Sequence, residues 1–92
     1  MASIENFPPV FYGNMGPIEQ AVVMLNSVEL ANAMKSQNPV MAMNVGMLLI
    51  VMALVTSQTS EPDKVVNEIA DCAVRSLVSF RARSREAKEE MQ

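Results

Sequence analysis

Ten carboxylates, seven basic side chains and one thiol, with no histidine to activate any hydroxyl, are the ionisable groups this 92-residue chain brings to chemistry beside its one tyrosine. General acid–base catalysis needs a carboxylate converging with a base or a metal in a pocket. Glu5, Glu19 and Glu29 are instead scattered along polar positions, and the later acids lie on the solvated side of the last helical segment. The absence of His and the single Cys exclude the common zinc sites, Cys–His and Ser–His–Asp nucleophiles, and any internal disulfide. Cys72 stands beside Asp71, and a neighbouring carboxylate does not activate a thiol, so it reads as a packing residue. Gly13, Gly16 and Gly46 form no phosphate-binding loop. The reading is no enzyme, no cofactor and no metal.

Arg81, Arg83 and Arg85 make the one basic cluster. On a helix the first and third share a face while Arg83 points elsewhere, and Glu86, Glu89 and Glu90 offset them. With a formal net charge of −3, nucleic acid is not an expected partner. The cluster reads as a solvated tail held by pairs such as Arg85 and Glu89. The alternative is contact with an acidic neighbour or anionic lipid. The nine methionines are more unusual. Met is a flexible apolar filler that suits surfaces required to adapt.

Four segments must position these residues. Residues 1–16 hold Pro8, Pro9, Gly13 and Gly16, which deny them a regular helix, yet they carry Phe7, Phe11 and Tyr12. Such an aromatic arm is expected to dock, either on its own helices or on a neighbouring subunit. Residues 17–92 read as one all-α domain of three helices, at about 17–36, 39–57 and 61–90, with a polar tail over 81–92. Pro17 and Pro39 suit first helical positions, Glu19 the first turn, and Asn38 a cap. Ser60 is expected to cap the last helix, with Asp63 completing a capping box.

The middle helix carries the excess of apolar residues, which make up half the chain. No charge occurs between Lys35 and Glu61, and Asn44 is the one polar side chain from Val40 to Val55. A helix apolar all round is central in a bundle, buried in an assembly or in a membrane. Ala42 and Gly46, continued by Ala53, form a seam where a second helix can approach closely. Self-association is therefore placed on Ala42, Asn44, Gly46, Met47, Ile50 and Ala53. In the last helix Val66, Ile69, Ala73, Leu77 and Phe80 recur at helical spacing as the packing face.

Short motifs resemble a known family. Ile18-x-x-Ala21-Val22, Asn26, and Pro39-Val-Met41-Ala42-Met43 are similar to the RebB-type proteins of bacterial R-bodies, with Ser57-Gln58-Thr59 where those show a polar stretch. The resemblance covers residues 18–58; the longer spacer, the aromatic arm and the charged last helix depart from it. It implies a cytoplasmic structural protein that polymerises into coiled ribbons, which extend on a trigger such as acidification and break membranes. Without His, a response to acid would fall on carboxylates such as Glu19, Glu29, Glu61 or Glu68.

The reading from sequence is a non-enzymatic structural subunit whose partners are copies of itself or a related protein. The lone cysteine favours a reducing, cytoplasmic location. Residues 1–12 show no leader peptide, having no basic start, an acid at Glu5 and two prolines. Two alternatives stand beside it. One is a small membrane protein of the phage-holin kind, with residues 40–55 as the span. The other is a soluble helical adaptor or inhibitor that hides the same helix against another protein.

Overall fold

A computed structural model describes residues 8–90. Phe7, one of the three aromatic residues expected to dock, lies outside the described residues. The fold is all-α, with α1 at Pro17–Ala33, α2 at Pro39–Ser57 and α3 at Pro62–Glu90, and no strand among the described residues.

Each helix starts at a proline, whose missing N–H is not needed in the first turn. Ahead of α1 the Glu19 carboxylate accepts the Gly16 N–H at 3.3 Å, half of a capping box closed from the helix side. Ahead of α2 the Asn38 side chain accepts the Val40 N–H at 2.8 Å. The cap of α3 falls one residue later than expected. Pro62 takes the first helical position, so the Glu61 carbonyl accepts the first helical bond, from Val65 at 3.2 Å. The Thr59 hydroxyl oxygen accepts the Glu61 N–H instead of Ser60 acting as a cap.

The exits are equally local. The expectation carried α1 to about residue 36, but it ends at Ala33 and tightens through Met34 and Lys35. Asn38 precedes a proline and is therefore extended, with ψ 134°, which stops the helix short of it. α2 ends on Gln58 in the left-handed region at φ 53°, its N–H donating to the Leu54 carbonyl at 3.2 Å. The short connections fold the three helices back beside one another. The molecule extends 51 × 29 × 24 Å. A 29-residue helix is about 43 Å long, so α3 sets the long dimension.

What these elements enclose is very little. Cys72, 9% exposed, is the one buried hydrophobic residue among those described. The remaining contact is partial: Val23 and Ser27 of α1, Leu49, Ile50, Ala53 and Leu54 of α2, and Val65 and Ile69 of α3 line an open groove of about 980 Å³. In it Ile50, Leu54, Val65 and Ile69 are half-buried and the others exposed.

Candidate interaction surface

α2 has the strongest sequence signal and the least cover. It is 19 residues long, has a mean hydropathy of 2.1, and none of that stretch is buried. At about 28 Å it nearly matches the ~30 Å hydrocarbon core of a bilayer. Its outward row is Val40, Met43, Met47, Val51 and Val55, between 47% and 73% exposed. The polar side chains on the helix all turn back on it. Asn44 Nδ2 donates to the Val40 carbonyl at 2.8 Å, Thr56 Oγ1 to Met52 at 3.0 Å, and Ser57 Oγ to Leu54 at 3.1 Å. Thr56 and Ser57 spend their hydroxyl hydrogens in this way, while exposed Asn44 still presents a second amide hydrogen and its Oδ1 as a polar point on the helix.

The six residues assigned to self-association do not form one patch. Ala42 and Gly46 face α1 across a groove of about 500 Å³, shared with Leu30, Ala31 and Met34. Nothing lies within 4 Å of where a Cβ on Gly46 would stand, so within the chain the small-residue seam faces open space and no close helix. Ile50 and Ala53 line the larger groove among all three helices. Asn44 and Met47 point outward. Uniform apolarity left the outer row of α2 unmarked in the sequence; its signal was the three- and four-residue spacing from Val40 through Met47 to Val55.

The arm folds back onto α3 of its own chain. Val10 N–H donates to Ser76 Oγ at 2.7 Å, and the same hydroxyl donates to the Val10 carbonyl at 3.4 Å. One turn away, Cys72 Sγ lies 3.7 Å from the Phe11 carbonyl oxygen, and Arg75 donates to Cys72 Sγ at 3.8 Å. Arg75 Nε also meets Asp71 Oδ2 at 2.9 Å, the one ion pair among the described residues. Arg85 and Glu89 do not pair, since exposed charges gain too little to hold two long side chains together. Phe11 is half-buried and Tyr12 is 41% exposed; both line a depression of about 810 Å³ with Lys64, Glu68 and Arg75. Ser76 was missed in the sequence, although a lone hydroxyl in the apolar row of Val65, Ile69 and Cys72 was its mark.

Of the residues assigned to packing on α3, Ile69 and Phe80 are half-buried. Val66, Ala73 and Leu77 lie outward, Val66 and Leu77 at 42% and 47% exposure. The row turned inward is Val65, Ile69, Cys72 and Ser76, shifted around the helix by a fraction of a turn. Towards its end, Phe80, Arg81, Ser84, Arg85 and Lys88 edge a shallow depression of about 340 Å³. No group of three or more His, Cys, Asp or Glu side chains among the described residues is placed to hold a metal.

No family model matches the chain, and neither the curated proteins nor the solved structures contain a significant match to it.

Proposed function

We propose that this chain is a non-enzymatic structural subunit that associates with copies of itself through its exposed apolar helices. The observation that carries this is the mismatch between content and burial: half the residues are apolar, yet among the described residues only Cys72 is buried. Fully covering a Val, Leu or Met side chain is worth roughly 1.5–3 kcal/mol. The outer row of α2, about half exposed, therefore represents a gross driving force of roughly 5–10 kcal/mol, comparable with the whole stability of a domain this size. Exposed apolar surface of this extent marks an interaction site. On this reading the assembly is cytoplasmic, and a coiled ribbon is the form that the R-body resemblance implies.

The test is direct. Val51 is 47% exposed in the single chain, so Val51→Glu should spare the helices while placing a charge in the proposed contact. Purified wild-type chain should sediment as a large, detergent-resistant species with ribbon form in electron micrographs, and Val51→Glu should shift it to small species. A wild-type chain that stays monomeric by sedimentation would overturn the proposal.

One observation favours a second reading, a membrane span by α2. The helix is free of charge, long enough, and returns a hydrogen from each of Asn44, Thr56 and Ser57 to its own carbonyls, which lowers the cost of placing them in hydrocarbon. Recovery with membranes, released only by detergent, would favour that reading over the ribbon.

A further inference from the structure

The outward face of α3 is built symmetrically about one point. Around the helix, Asp63, Val66, Ala70, Val74, Leu77 and Arg81 fall within about a quarter-turn of one another, on the side away from the arm and α2. All six are exposed. Paired from the outside inward, Asp63 matches Arg81, Val66 matches Leu77, and Ala70 matches Val74. Each pair is centred within half a residue of position 72, so the face reads acid, apolar, apolar, apolar, apolar, base. Such a pattern is complementary to its own reverse.

We propose that this face is a two-fold, antiparallel seam to the α3 of a second copy of the chain. A dyad at the level of residue 72 sets Asp63 against the partner subunit's Arg81 and, by the same symmetry, Arg81 against the partner subunit's Asp63. It also stacks Val66 on the partner's Leu77. Ala70 and Val74 lie nearest the dyad on this face, the small Ala70 facing the partner's Val74 where two helices pack at roughly 8–10 Å. Neither Asp63 nor Arg81 has an ion-pair partner within its own chain among the described residues, so both are available to the partner. A parallel pairing would put Asp63 against Asp63 and Arg81 against Arg81, and like charges repel. The proposal deepens the self-association reading and rests on it.

Charge exchange and cross-linking test the seam in the full chain. Asp63→Arg and Arg81→Asp should each weaken the α3 contact about tenfold, since each change turns two attractive pairs into two repulsive ones. An equimolar mixture of the two variants should regain wild-type association, because each then supplies the charge the other lacks. In a Cys72→Ser background, a tagged Asp63→Cys chain mixed with an Arg81→Cys chain should oxidise mainly to the mixed disulfide, about tenfold over either like pair. Like-pair disulfides in equal or greater yield, or single exchanges without effect on a wild type that does associate, would overturn the seam alone. A wild type that remains monomeric would overturn both the seam and the self-association on which it rests.

Discussion

Ser76 is the residue on which the arm depends. Its hydroxyl accepts from the Val10 N–H and donates to the Val10 carbonyl, so one small side chain satisfies both backbone groups of a residue 66 positions away. Ser76→Ala removes both bonds and leaves a half-buried N–H and carbonyl without partners, at about 1–3 kcal/mol. The expected outcome is a lower melting temperature together with faster proteolytic cleavage between residues 8 and 16, while α1–α3 keep their helical circular dichroism. An unchanged cleavage rate would show that the arm is held by its aromatic side chains alone. Gly46 presents the opposite case, a residue whose small size no described residue uses. With nothing within 4 Å of its Cβ direction, Gly46→Ala should fit and raise stability by roughly 0.5–1 kcal/mol, the helix-propensity difference. A loss of stability in chemical denaturation would mean that a helix of another subunit packs directly on the Ala42–Gly46 seam.

The helices themselves were legible because local chemistry decides where they begin. Pro17, Pro39 and Pro62 each stand at a first helical position, and Asn38 and Glu19 supply the caps beside two of them. Faces were less legible than boundaries. α2 is apolar at nearly every angle, so its pattern cannot say which side turns to α1 and which outward; only the fold separates Ala42, Gly46, Ile50 and Ala53 from Met47 and Asn44. In α3 the apolar arc is wide enough to contain two rows. The row of Val66, Ala73 and Leu77 reads as well in sequence as the row of Val65, Ile69 and Cys72, and the arm decides between them by covering the second. That decision turned on Ser76 and Val10, a contact no short-range pattern encodes. Because α2 carries no charge, one introduced there should be felt more than anywhere else on the chain. Met47→Asp should abolish whichever association α2 makes, protein or lipid, whereas Glu68→Lys, exposed beside the arm and off both outer rows, should leave sedimentation unchanged.

At the scale of the whole molecule, the number of free faces decides the kind of assembly. A two-fold contact uses the same patch on both subunits and closes on itself, so one such face per chain gives a dimer and nothing larger. On the reading proposed for this chain, the outer row of α2 and the outer row of α3 are separate faces, since the groove between the helices is lined by neither. A pair joined through α3 then still presents two α2 faces, and a pair joined through α2 still presents two α3 faces. Alternating the two contacts propagates into a polymer with no further partner, provided the two dyads do not intersect and close the assembly as a tetramer. This makes a prediction that neither face makes alone. Val51→Glu should stop growth at a dimer held by α3, and Asp63→Arg should stop it at a dimer held by α2. The combined variant should be a monomer. Sedimentation velocity separates these outcomes, because the singly substituted species should have twice the mass of the 10.1 kDa chain. Should either single change already yield monomers, the second face would carry no contact of its own, and the assembly would be a closed dimer instead of a polymer.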